Sequence, residues 1–136
     1  MSESDDTPRS KPDVEALNEL AVQLEDLANN QSGRKSLDPT LANLVLARLN
    51  VLRRMERGPE KGNNIRRKID VALKLRTDES ARNQSFLDHI AVIDGAISGT
   101  FDKDALRGTA IFLRKIIIGL EQHMIAMDSA QLFRTR

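Results

Sequence analysis

Apolar residues recur at intervals of three and four along most of the chain. Between Asp13 and Asn29, large apolar side chains stand at Val14, Leu17, Leu20, Leu24 and Leu27. This spacing places them in one stripe on a helix. The spacing returns after Asp38-Pro39, a pair typical of a helix start, and is interrupted at Gly58-Pro59, where a helix is expected to stop. The pattern predicts two amphipathic helices in the first half of the chain.

Three more helices are predicted in the second half. Asn63 or Asn64 is expected to cap a short third helix, Thr77 or Ser80 to open a fourth, and the fifth to begin near Asp102. The fourth helix is expected to bury Leu87, Ile90, Ile93 and Ile97, with Phe86 and Ala91 beside them. Since no segment shows the strict alternation of a strand, the sequence predicts an all-α, four- to five-helix bundle with a long apolar C-terminal helix.

Residues 12–136 are expected to form this bundle as a single helical domain. Residues 1–11 contain no large apolar residue after Met1, so they have little apolar surface with which to offset the entropy of ordering. We therefore expect residues 1–11 to be a disordered acidic tail.

The predicted C-terminal helix carries more apolar surface than one bundle needs. Charged residues are largely confined to one row, Arg107, Arg114, Glu121 and Asp128, which repeats every seven positions. From Lys103 to Arg134 the helix would be roughly 48 Å long, whereas a compact chain of this size is roughly 37 Å across. Either the other helices wrap around it or a second subunit covers part of it.

We expect a homo-oligomer, most simply a homodimer. Its predicted interface consists of Ile111, Leu113, Ile117, Ile118, Leu120, Met124 and Ile125. Gly108 and Gly119 suit close helix approach in either arrangement.

Charge is unevenly distributed although the formal net charge is only +1. Residues 1–33 carry two basic and eight acidic residues, a local charge of −6, and residues 34–76 carry twelve basic and four acidic ones, a local charge of +8. Arginine dominates the basic block, which favours bidentate phosphate recognition. The predicted nucleic-acid-binding residues are Arg48, Arg53, Arg54, Arg57, Lys61, Arg66, Arg67, Lys68 and Lys74. An acidic protein partner, docking of the first helix or the tail on this block, and plain solvation are the alternatives.

The form of such a ligand follows from the aromatic content. The chain has no Trp, no Tyr and four Phe, so stacking of bases on exposed rings is disfavoured. We expect a non-enzymatic regulatory or protective protein that binds duplex RNA or DNA through phosphate contacts. The alternative is a protein-interaction module, such as an adaptor, secretion chaperone or antagonist, that binds an acidic partner.

Catalytic and metal chemistry find little support in the residues. With no Cys and only two His, thiolate chemistry is excluded, and the spacing around His89 and His123 matches no metal-binding pattern. Ser85 precedes His89 by four residues, but no oxyanion-hole motif accompanies the pair. We expect no enzyme activity, no metal and no cofactor. In the absence of an apolar targeting or spanning segment, we expect a soluble cytoplasmic protein with no membrane partner.

Overall fold

The computed structural model describes residues 10–29, 35–56, 64–75 and 78–134. They form five helices, α1 (Ser10–Asn29), α2 (Pro39–Arg54), α3 (Ile65–Ala72), α4 (Glu79–Ile97) and α5 (Lys103–Arg134). The described ranges contain no strand. The predicted all-α bundle of four to five helices is therefore confirmed.

Short polar side chains determine where four of the helices begin. Asp38 accepts a hydrogen bond from the backbone N–H of Thr40 at 3.0 Å, and Asn64 accepts one from that of Arg67 at 3.2 Å. Asp78 caps α4 and Asp102 accepts from the first turn of α5. These bonds satisfy amide groups that have no partner within the helix. The prediction of Thr77 or Ser80 as the start of α4 is wrong, because Asp78 between them supplies the cap.

The described residues move one predicted boundary and leave another outside. Because α1 begins at Ser10, the predicted tail of residues 1–11 loses its last two positions to the helix. Residues 1–9 lie outside the described ranges, as does the Gly58-Pro59 stop. Within the described part, α2 ends at Arg54 and is capped by Met55.

Helix α5 is the central element of the bundle, and it packs against α1, α3 and α4. Arg107 of α5 donates to the carbonyl oxygen of Ala28, and Arg114 pairs with Glu25, so α1 runs antiparallel to α5. Five residues of α5 form a continuous buried row on the inner side: Leu106, Ala110, Leu113, Ile117 and Leu120. The leucines of α1 complete this part of the core.

Helices α3 and α5 approach each other closely at Gly119. A Cβ atom added at Gly119 would lie 2.6 Å from the Cα atom of Ile69. Gly119 therefore allows the two backbones to touch, as the sequence suggested. The corresponding expectation for Gly108 is wrong, because a Cβ atom there would meet nothing within 4 Å.

The buried face of α4 differs from the predicted one. Ile93 is fully buried, but Leu87 is exposed and Ile90 and Ile97 are only partly buried. Phe86 is buried, as expected, and the helix also buries Arg82, which was not expected. The face is rotated relative to the prediction because a cation occupies part of the interior.

Candidate interaction surface

A buried cluster of charged side chains joins α3 to α4. Asp70 accepts a hydrogen bond from Arg82 Nε at 2.7 Å and another from Arg66 Nε at 3.3 Å. Arg66 and Arg82 are 4% and 1% exposed, and Asp70 is 3% exposed. Arg66 also donates to Glu79 through its Nη2 atom. The carboxylate of Asp70 thus compensates two buried cations at once, as burial of charge requires.

The same two arginines terminate α2. Arg82 Nη1 donates to the carbonyl oxygen of Arg53 at 2.6 Å, and Arg66 Nη1 donates to that of Met55 at 3.2 Å. These oxygens belong to the last turn and the cap of α2, where carbonyl groups have no partner within the helix. The cluster therefore ties the ends of three helices together and uses the guanidinium groups as structural donors.

Arg82 also contacts an aromatic ring. Its guanidinium group lies 4.8 Å from the centroid of the Phe86 ring, a favourable arrangement for a desolvated cation. Burial lowers the pKa of Arg82 below its ordinary value, and the hydrogen bond that Arg82 donates to Asp70 opposes this shift. Sequence reasoning missed Arg82. The only local sign of its role was its position four residues before Phe86 on the same helix face.

Two other predicted nucleic-acid ligands also have partners within the chain. Arg48 pairs with Asp13 of α1 at 3.3 Å, so a carboxylate of the first helix does meet the basic block. Arg53 donates to Asn83 at 2.8 Å and to Asn50. Both arginines are partly buried.

The predicted binding set is therefore divided. Arg66 is inside the protein, which corrects its prediction as a nucleic-acid-binding residue. The positions that the structure leaves exposed are Arg54, Arg67 and Lys74, and Lys68 is partly buried. Arg57 and Lys61 lie outside the described residues.

Two exposed cations lie on α3 and in the turn that follows it. Arg67 and Val71 are four residues apart and share the side of α3 opposite Ile69. Val71 is 68% exposed, and Lys74 is exposed in the turn after the last helical residue, Ala72. We call Arg67, Val71 and Lys74 the α3 outer face. Along the chain, it has an apolar residue between two cations.

Lys74 adopts a backbone conformation that lysine rarely takes. Its φ angle is 59°, in the left-handed region preferred by glycine. The amide of Lys74 donates to the carbonyl of Val71 and that of Leu75 donates to Asp70, which is the Schellman pattern at a helix C-terminus. The chain thus places lysine at the position where glycine is most favourable.

A second exposed face runs along α5. Ile111, Ile118 and Ile125 are 55%, 49% and 62% exposed. Three other residues of the predicted oligomer interface, Leu113, Ile117 and Leu120, pack inside the chain's own core, and Met124 is partly buried. Their expected role in a subunit interface is corrected accordingly, because helices α1 and α3 already cover that side of α5.

His89 packs against an aromatic ring and a hydroxyl group. Its ring stacks on Phe112 with centroids 4.2 Å apart, and its Nδ1 atom lies 2.9 Å from the Thr109 hydroxyl oxygen. Burial lowers the pKa of His89, and the charge of Asp88 partly opposes this effect. In the described part of the chain, no three His, Asp or Glu residues come together as a metal site would require.

Comparison with known proteins leaves the function to be argued from this geometry. No protein-family model, curated protein or solved structure matches the chain. Among the described helices, none has the length and apolar content needed to cross a membrane.

Proposed function

We infer that the chain is a non-catalytic interaction module that binds an acidic protein through the α3 outer face. The observation that carries this proposal is the left-handed Lys74 at the end of α3. A non-glycine residue in this region costs of order 1 kcal/mol. Glycine at this position would favour folding. A role in binding would explain why the chain has the positive charge of lysine there instead.

The exposed valine favours a protein over a nucleic acid as the partner. Phosphate oxygens attract cations, but an apolar side chain beside them adds nothing to the binding free energy. Val71 is the most exposed large apolar residue in the described part of the chain, and it lies between Arg67 and Lys74. An acidic peptide with one apolar side chain would satisfy all three residues.

The internal use of arginine supports the same choice. Arg48, Arg53 and Arg66 donate to groups of their own chain, so they are not available as a continuous track for a duplex. A duplex-binding protein usually contacts phosphates at many positions. A short acidic segment needs only the few cations that α3 exposes.

Duplex nucleic acid is the second candidate. The observation in its favour is that Arg54, Arg67 and Lys74 remain exposed in the block that carries a local charge of +8. Binding would proceed through phosphates and release counterions. Its affinity would therefore fall steeply as salt rises.

Affinity capture with the full-length chain tests the proposal. We expect a protein partner to be retained after nuclease treatment, and Lys74→Gly to weaken its retention several-fold without loss of thermal stability. Lys103→Ala, which removes an exposed cation at the start of α5, is the matched control and should leave retention unchanged. Equal retention by the parent and Lys74→Gly would contradict the proposal.

A mobility-shift assay separates the two candidates. The probe is a random-sequence duplex of about 20 base pairs, long enough for a phosphate-binding surface. Nuclease-sensitive capture, together with duplex binding that weakens steeply with salt and depends on Arg67 and Lys74, would replace the protein partner by the nucleic acid.

A further inference from the structure

Helix α5 presents an isoleucine stripe, Ile111, Ile118 and Ile125, that no element of the described chain covers. The three side chains repeat every seven residues and are each about half exposed or more. Successive members are therefore roughly 10 Å apart along the helix and lie on nearly the same line. Scattered surface isoleucines need no explanation, but a heptad-spaced row is the pattern of a helix–helix seam.

One exposed apolar residue of α1 lies near the level of the stripe. Arg114 of α5 donates to Asn18 at 3.1 Å and to Glu25 at 2.7 Å. Val22 lies between these two partners along α1 and is 42% exposed. An exposed apolar side chain of α1 is therefore found at the level of Arg114, which precedes Ile118 by one helical turn.

The part of α5 after Leu120 is less buried than the part before it. None of the residues 121–128 is fully buried, and the helix itself continues to Arg134. Within 121–128, Ile125 is 62% and Met127 is 44% exposed. Apolar side chains exposed in this way gain stability when another surface covers them.

Charges beside the stripe change sign along its length. Arg107, Arg114 and Lys115 flank its first half, and Glu121 and Asp128 flank its second half. A parallel copy of α5 would set like charges against each other. An antiparallel copy, turned about Ile118, places the basic half of each helix beside the acidic half of the other.

We propose that a second copy of the chain covers the isoleucine stripe, packing α5 against α5 in antiparallel orientation with a two-fold axis near Ile118. Each copy then sets Ile111 against the partner's Ile125, and Ile118 lies against its own counterpart. This isologous contact closes on itself and gives a dimer rather than a filament. It uses a surface separate from the α3 outer face and does not depend on the function proposed above.

Apolar burial stabilises this dimer, and charge sets its orientation. Arg114 already pairs with Glu25 of its own chain, so an acidic residue of the second copy would join an existing pair. Such rim contacts contribute more to orientation than to affinity.

Solution mass tests the occupant of the stripe. At about 100 μM protein, a concentration suited to a seam of modest area, light scattering should give twice the monomer mass of 15.2 kDa. Ile118→Lys should give the monomer with an unchanged circular dichroism spectrum, since Ile118 is not part of the core. Val71→Lys, a matched change on exposed α3, should leave the dimer intact. A monomeric parent, or a dimer that survives Ile118→Lys, overturns the proposal.

Cysteine cross-linking tests the orientation, because the chain has no native Cys. Ile118→Cys should form a disulfide-linked dimer on mild oxidation. Ile111→Cys alone should not, since its two copies would be roughly 21 Å apart along the seam. A mixture of Ile111→Cys and Ile125→Cys should link. Efficient self-linking of all three variants would indicate parallel packing and contradict the antiparallel arrangement.

Discussion

The two sides of α3 use the same kinds of residue for opposite purposes. Arg66 on the inner side is 4% exposed and bonds Asp70, Glu79 and the carbonyl of Met55. Arg67, the next residue, lies on the outer side and is exposed. One step along the helix turns a side chain by about 100°, which is enough to move a cation from the interior to water.

This difference shows that the number of basic residues in a segment does not tell how many of them are exposed to a ligand. The inner cations hold helix ends together, and their carboxylate and carbonyl partners come from other elements. The side chains of the outer cations Arg67 and Lys74 form no such bonds in the contacts described above, so they are available to bind a ligand. We therefore expect substitutions on the inner side of the bundle to lower the free energy of unfolding strongly and those on the outer side to change it little.

The largest effect is expected for Asp70→Ala. It removes the carboxylate that both Arg66 and Arg82 contact and leaves two buried cations without it. We expect a loss of about 3–5 kcal/mol in the free energy of unfolding, measured by chemical denaturation. Asp94→Ala, which changes an exposed carboxylate on α4, should stay within about 0.5 kcal/mol. Similar losses for the two variants would show that the buried carboxylate is no more important for folding than an exposed one.

Arg66→Ala and Arg67→Ala test neighbouring positions directly. The first variant leaves the carbonyl of Met55 without its donor and removes one cation from Asp70, so we expect a loss of about 2–3 kcal/mol. The second should cost less than about 0.5 kcal/mol. Thermal unfolding of both proteins at the same pH measures the difference, and a reversed order would show that the inner network is not structural.

Gly119→Ala tests the close contact between α5 and α3. The new methyl group would meet the backbone of Ile69 at 2.6 Å, and backbone cannot move aside as a flexible side chain can. We expect a loss of about 1–3 kcal/mol. Gly108→Ala is the control, since its surroundings are open and alanine favours the helix by up to about 1 kcal/mol. Denaturation midpoints should therefore shift in opposite directions.

Lys74→Gly should stabilise the protein by about 1 kcal/mol, because glycine adopts a positive φ without the steric cost that lysine bears. The measurement is the shift in melting temperature. Lys74→Ala keeps the strain and removes the charge, so it should show no such gain. If Lys74→Gly lowered the melting temperature, the left-handed conformation would not be the source of strain that the α3 proposal assumes.

The smallest effect is expected for His89, which is only partly buried. Burial holds the pKa of the folded state below the ordinary value, so the unfolded chain binds more protons once the pH falls below about 6.5. Stability linked to this group is complete above that pH and decreases as the pH drops toward the folded-state pKa. Denaturation at several pH values between 5.5 and 7.5 should show a shallower decline for His89→Gln than for the parent. Parallel curves would contradict this assignment.

Local signals explain how much of the fold was predictable. The three- and four-residue spacing identified the helices, and Asp38, Asn64 and Asp102 marked starts that the structure confirms, because capping depends on residues within one turn. The charged row of α5 and the apolar residues around it were also visible in the sequence. Their destinations were not: a period shows that residues share a face, but not which element covers it.

The candidate surfaces depended on contacts between distant residues. The sequence around Arg66 and Arg67 gives no reason to expect one of them, and not the other, to bind a ligand. They differ because Arg66 alone reaches Asp70, Glu79 and the end of α2 in the folded chain. Arg82 escaped prediction because its partners Asp70 and Arg53 lie 12 and 29 residues away.

The helices, most of their starts and the spacing of apolar and charged rows follow directly from the sequence, since each depends on backbone geometry over a few residues. The folded arrangement adds which cations are neutralised inside, which row of α5 stays exposed and why Gly119 cannot be larger. Burial and charge compensation depend on the three-dimensional arrangement of neighbours, and the chain brings those neighbours together only when it folds.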